Sequence, residues 1–143
     1  MRRDIVIITR ETDYAIRILR ALARSDLKSI REICETEYMP QQFAYKIAKK
    51  LEIAGLIEVI RGAQGGCRLK KDLHEITLWE VIHVMDRENM VTSCLNDSFV
   101  CMYRDTYDNC VMHESLCEVQ DHIEAYLKTL TIYDLVFVHS HDK

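Results

Sequence analysis

A chain of 143 residues with 48% apolar and 29% charged side chains has the proportions of one ordinary globular domain or two small ones. Four glycines and one proline are too few for the many turns of a sandwich or a barrel, so the chain should be mostly helical. The net charge of −4 sums two unlike halves: residues 1–71 carry 15 Lys/Arg against 9 Asp/Glu, and residues 72–143 carry 4 against 14, so only the first half should attract a polyanion.

The apolar run Ile5-Val6-Ile7-Ile8, behind Arg2 and Arg3, is too short for the core of a signal peptide. No stretch has the length or hydrophobicity to span a membrane. A cytoplasmic location is expected, and six cysteines there point to metal binding or redox chemistry rather than disulfides.

Thr9 suits the cap of a first helix whose apolar side holds Tyr14, Ile16, Ile18, Leu19, Leu22 and Ala23. Ser29 followed by Glu32 has capping-box spacing and opens a short helix to about Glu35. Glu37-Tyr38-Met39 reads as a turn. Pro40 suits the first position of the next helix, which runs to about Ala54 with Phe43, Ile47, Ala48 and Leu51 as its apolar side. Gly55 is a stop signal. Leu56 to Ile60 and Cys67-Arg68-Leu69 are strand candidates around the turn Arg61-Gly62-Ala63-Gln64-Gly65-Gly66. Thr77 caps a helix through Leu78, Val81, Ile82 and Met85. Residues 87–109 have no clear period. A long helix resumes near Cys110 with a seam of Leu116, Val119, Ile123, Leu127 and Leu130, and Thr131 opens a last short helical turn. The tail after Val138 is expected to fray.

A short helix, a tight turn, a second helix with a polar opening and a hairpin make a winged helix-turn-helix. In such a unit the second helix enters the major groove with its N-terminal residues at base edges. Those residues are Pro40, Gln41, Gln42, Ala44 and Tyr45. Glutamine can bond adenine in a bidentate manner. Lys46, Lys49 and Lys50 suit phosphate contacts. In the wing, Arg61 suits a narrow minor groove, Gln64 adds a polar tip, and Gly62, Gly65 and Gly66 permit a tight turn close to the duplex. The expected organisation is a reading unit over 1–72 and a sensing and dimerising unit over 73–143.

Cys94, Cys101 and Cys110 are separated by six and eight residues, and His113 follows Cys110 by three. Positions i and i+3 share a helix face, so Cys110 and His113 can face one site. Thiolates select iron–sulfur clusters or zinc, and imidazole serves either. Cys117 lies two turns beyond Cys110 on the same side, as a further ligand candidate or a small residue of the helix seam. Cys34 and Cys67 read as packing residues. No phosphate-binding glycine loop, nucleophile elbow or acid/base pair is present, so an enzyme is not expected.

Three segments carry a resemblance to a known family. They are Ile8-Thr9-Arg10-Glu11-Thr12-Asp13-Tyr14-Ala15-Ile16-Arg17, then Leu51 to Ile57 with the Arg61-Gly62-Ala63-Gln64-Gly65-Gly66 wing, and Thr77-Leu78-Trp79-Glu80-Val81-Ile82. From about Val6 to Leu135 the chain resembles the Rrf-type family of bacterial winged-helix regulators, which includes IscR and NsrR. The resemblance implies a homodimer, paired through the long helix, that binds double-stranded DNA at a palindromic operator. It implies an iron–sulfur cluster on Cys94, Cys101 and Cys110 that senses nitric oxide, redox state or iron supply. The fourth ligand it implies is His113 in IscR-like members or Asp13 in NsrR-like ones. The cysteine spacings here are longer than the usual ones of the family. The alternative keeps the DNA-binding fold without iron, using zinc or a cysteine thiol switch.

Overall fold

The computed structural model describes residues 8–88 and 90–138. The apolar run before Ile8 and the tail beyond Val138 lie outside the described residues. The chain order is α1 (Arg10–Leu22), α2 (Ile30–Glu37), α3 (Gln41–Ile53), β1 (Ile57–Ile60), β2 (Gly66–Leu69), α4 (Leu78–Met85), a single 3-10 turn at Ser93–Leu95, α5 (Met102–Tyr107), α6 (Val111–Thr129) and α7 (Ile132–Phe137). This is the mostly helical winged helix-turn-helix expected, with its long helix near the C-terminal end.

Side-chain caps start most of the main helices. The Thr9 hydroxyl accepts from the Thr12 N–H, and Thr77 and Thr131 do the same for α4 and α7. Ser29 and Glu32 form a complete capping box at α2. Pro40 sits one position earlier than expected: its ψ of 134° is extended, so it precedes the first turn of α3. Helix α2 runs two residues beyond Glu35 and ends at Tyr38, whose φ of 53° reverses the chain toward α3.

One core is shared by both halves of the chain. Ile18 and Leu19 of α1, Ile33 of α2, Ile47 and Leu51 of α3, Ile57 of β1, Val81 of α4 and Ile132 of α7 belong to it. Two expectations for α3 reverse here. Ala44, placed at the DNA face by sequence, is fully buried, while Phe43 is 41% exposed and only edges onto Tyr14. A methyl group fits the gap between α1 and α3 where a phenyl ring would not. Glu37 is also buried, at 8% exposure. Its carboxylate accepts from the Arg20 guanidinium and its carbonyl from Arg17 Nη1, which pins the helical turn to α1.

Strands β1 and β2 pair antiparallel, with Ile57 opposite Leu69 and Ile60 opposite Gly66. Cys67 also bridges to Lys28, so the wing is hydrogen-bonded to the entry of α2. Gly62 needs its positive φ of 115°. Gly66 is required for another reason: a Cβ there would lie 2.7 Å from the Lys28 carbonyl oxygen. Gly66→Ala should therefore cost on the order of 1–3 kcal/mol through forced displacement at this bridge. Urea denaturation of both proteins measures the loss, and equal midpoints would mean that the Lys28 backbone gives way freely.

Candidate nucleic-acid interface and metal centre

On α3, Gln41, Gln42, Tyr45, Lys46 and Lys49 are exposed, as is Pro40 before it. Spacings of three and four place them along one side of the helix. Arg61, Gly62 and Gln64 are exposed at the wing tip. Lys46 Nζ reaches Glu11 at 2.9 Å and Lys49 Nζ reaches Glu52 at 2.9 Å, both as surface pairs. Such pairs contribute little to stability and yield readily to another anion.

Lys50 differs from its neighbours. Its Nζ lies 2.7 Å from Glu11 Oε2 and 3.0 Å from the Met85 carbonyl, and the side chain is largely covered. It joins α1, α3 and α4 and is not a free phosphate contact, which corrects its sequence assignment. Hydrogen bonds from Lys50 and Lys46 hold the Glu11 carboxyl below the usual carboxylate range. Sequence reasoning passed over Tyr38, which is 89% exposed at the turn before α3. Its left-handed backbone is the signal, and that is visible only in the fold.

The cysteines come from three separate pieces of backbone. Cys94 lies in the 3-10 turn, Cys101 directly precedes α5 and Cys110 directly precedes α6. All three line one cavity of about 530 Å3, together with Arg104 and His113. The Cys110 Sγ accepts from the His113 backbone N–H at 3.4 Å. His113 Nε2 lies 3.0 Å from Arg104 Nη1 and 3.6 Å from Cys117 Sγ. Its Nδ1 is buried without a hydrogen-bond partner among the described residues. Cys117 lines a neighbouring cavity that shares Cys94, Arg104 and His113 with the first. Asp13 is not part of either wall. It sits on α1, half-exposed, with Arg17 Nε at 3.1 Å. Among the described residues no three His, Cys, Asp or Glu side chains are grouped to hold a single metal ion.

The expected helix seam divides in two. Leu127 is buried in the chain's own core, with Ile123 and Leu130 packed against it. Leu116 is half-buried, and only Val119 of the five is exposed. The exposed apolar stripe of α6 instead runs through Met112, Val119 and Tyr126, at heptad spacing. The difference has a simple cause: the C-terminal turns of α6 pack on the core through Ile123 and Leu127, while its N-terminal turns do not.

The family model for Rrf2, described as an iron-dependent transcriptional regulator, matches residues 8–137. The chain belongs to the Rrf2 family. It is thus a DNA-binding transcriptional regulator, like the family's other members. This Rrf2 protein is 30% identical over 134 residues to the HTH-type transcriptional regulator NsrR of Shouchella clausii, covering 90% of this chain and 87% of that one. Two solved structures share its fold. CymR, the global cysteine regulator of B. subtilis, superposes with a TM-score of 0.69 at 22% identity over 98% of this chain and all of that one. T. potens IscR gives 0.64 at 22% identity, over 90% of this chain and 85% of that one. No described helix of this Rrf2 chain is long and apolar enough to cross a membrane.

Two kinds of cysteine coexist in it. Burial pushes the Cys34 and Cys67 thiols up from their ordinary range, whereas Cys94, Cys101, Cys110 and Cys117 are only partly covered. A thiol reagent added to the reduced, metal-free chain should modify those four well before the buried two. Mass-spectrometric mapping over time checks this, and simultaneous labelling of all six would contradict the buried core around Cys67.

Proposed function

We propose that this regulator is a cytoplasmic homodimer whose operator affinity is controlled by an iron–sulfur cluster held by Cys94, Cys101 and Cys110. The observation that carries the proposal is the convergence of these three thiols on one cavity. The donor set fits such a group: three cysteines from three backbone segments line one cavity that is larger than one ion needs, and His113 lines it with them. Asp13 or His113 completes the ligand set. Asp13 lies away from the cavity within its own chain, so its participation requires the second subunit. When bound, such a cluster would supply a centre sensitive to nitric oxide, redox state or iron supply. The protein residues fix where the three sulfurs stand and how α6 begins.

The division of labour follows the fold. Residues 1–72 read DNA, and residues 73–143 hold the sensor and pair the subunits. Gln41, Gln42 and Tyr45 face base edges in the major groove, with Pro40 fixing the entry of α3. Lys46 and Lys49 contact phosphates. Arg61, Gly62 and Gln64 place the wing at the minor groove. Met112, Val119 and Tyr126 face a second copy of α6, with Leu116 beside them. Ile123, Leu127 and Leu130 support the seam from the core side. A two-fold dimer then reads the half-sites of a palindromic operator about 34 Å apart. A hundredfold change in operator affinity between sensor states needs about 2.7 kcal/mol of coupling.

Anaerobic purification followed by visible absorption, iron and sulfide assays tests the sensor. A brown protein with matched iron and sulfide is expected, and Cys101→Ala should lose both yet remain a folded dimer. A colourless protein holding zinc or no metal overturns the cluster and favours a zinc brace or a thiol switch. The DNA assignment is tested separately. Arg61→Ala should weaken operator binding with the cluster content unchanged. Lys49→Ala should reduce the slope of log K against log salt by about 0.9, as expected for one lost phosphate contact. Unchanged salt dependence would remove Lys49 from the interface.

A further inference from the structure

The chain reverses between α2 and α3 on a single residue. Tyr38 holds φ 53° and ψ 55°, in the left-handed region. A bulky side chain there crowds its own backbone, so the conformation is costly for tyrosine and cheap for glycine. Elsewhere the chain meets the same demand with residues suited to it. Gly55 follows α3 at φ 77°, and Asp108, with a short polar side chain, ends α5 at φ 55°. Among the described residues Tyr38 is the one bulky side chain so placed. Packing does not account for it, because Tyr38 is 89% exposed.

The turn around it is fixed. The Tyr38 and Met39 N–H groups both donate to the Cys34 carbonyl. Met39, the next residue, is buried. Before Tyr38, the Glu37 carboxylate accepts from the Arg20 guanidinium and the Glu37 carbonyl accepts from Arg17 Nη1. The one acid adjacent to Tyr38 in sequence is thus covered and neutralised. In a helix-turn-helix the first helix crosses the DNA backbone and the second enters the major groove. The turn between them then stands at the rim of the groove, among phosphates.

We propose that Tyr38 is a DNA-backbone contact: its phenol hydroxyl donates a hydrogen bond to a phosphate oxygen at the groove rim, and the strained turn holds the ring out for it. The inference rests on the placement of α3 in the groove proposed above. Tyrosine is among the side chains that bond phosphate and fix the register of a protein on the duplex. Its neutrality sets it apart from Lys46 and Lys49, because it adds affinity without releasing a counterion. A costly backbone conformation that serves no packing is where function is to be sought.

Fluorescence anisotropy with a labelled duplex of mixed sequence suits the test, because a phosphate contact needs no particular operator. Tyr38→Phe removes the hydroxyl alone. It should weaken binding by about tenfold for a dimer that makes two such contacts. The slope of log K against log salt should stay at the wild-type value, unlike that of Lys49→Ala. Tyr38→Gly removes the ring and the strain together. Its urea midpoint should rise above wild type while its DNA affinity falls at least as far as that of Tyr38→Phe. A purely structural tyrosine would not move stability and binding in opposite directions.

A Tyr38→Phe protein that binds as tightly as wild type overturns the contact. A lower urea midpoint for Tyr38→Gly means that the ring serves the fold, and overturns it as well. Lys49→Ala and Arg61→Ala on the same duplex separate this inference from the one beneath it. If they weaken binding and Tyr38→Phe does not, only the tyrosine contact fails. If all three bind as wild type, the DNA face built on α3 and the wing fails, and the tyrosine contact with it.

Discussion

Helix α6 has to satisfy three surfaces at once, and the rest of the C-terminal half is arranged around that constraint. Its last turns belong to the core. Leu127 is buried, the Leu130 carbonyl accepts from the Leu78 N–H at 2.8 Å, and the Ile132 N–H donates to the Ile76 carbonyl at 2.8 Å. The bridge between Thr77 and Thr131 closes the same junction. Its first turn belongs to the cysteine-lined cavity, because Cys110 supplies the cap and His113 part of the wall. Its outer side belongs to neither and exposes Met112, Val119 and Tyr126. A single rigid element therefore touches the thiols at one end and the reading unit's supports at the other.

Most of the framework was legible because it is local. Capping hydroxyls at Thr9, Ser29 and Thr77 act on backbone groups three residues away, so their spacing alone identifies them. Gly55 ends α3 with a φ of 77°, again a local requirement. Helix α5 was not legible for the converse reason. It has six residues and buries none of them, so no apolar period marks it. Tyr103 and Tyr107 are exposed and touch each other rather than a core. With α5 hidden, Arg104 could not be recognised as a partner of His113. Three similar lysines could not be told apart either. Only the packing of α1 on α3 decides that Lys50, and not Lys49, meets Glu11.

The candidate metal centre divides along the same line. Residue types and the short step from Cys110 to His113 were enough to nominate ligands. The cavity that gathers Cys94 and Cys101 depends on how an irregular loop folds back. The helix seam shows the limit of periodicity from the other direction. Leucines at spacings of three and four announce an apolar side without saying what covers it. Here much of that side is consumed by the chain's own core, and a second, less leucine-rich stripe is left exposed.

The junction at Lys50 connects these parts. Met85 is the last residue of α4, and its carbonyl accepts from Lys50 Nζ just before the chain departs for Cys94. Lys50 lies on α3, the helix whose other side is exposed and polar. Glu11 on α1 holds the same ammonium, so one cation fastens the start of the cysteine loop to two helices of the reading unit. Helix α4 also packs against α1, α3 and α6. A change in the loop that carries Cys94 thus has a contiguous packed route to the exposed side of α3, in parallel with the route through α6. Two attachments, at Met85 and at Leu130, constrain rotation more tightly than one. Displacement of the cysteine loop relative to α6 would therefore strain α4 between them, and α4 packs against α3.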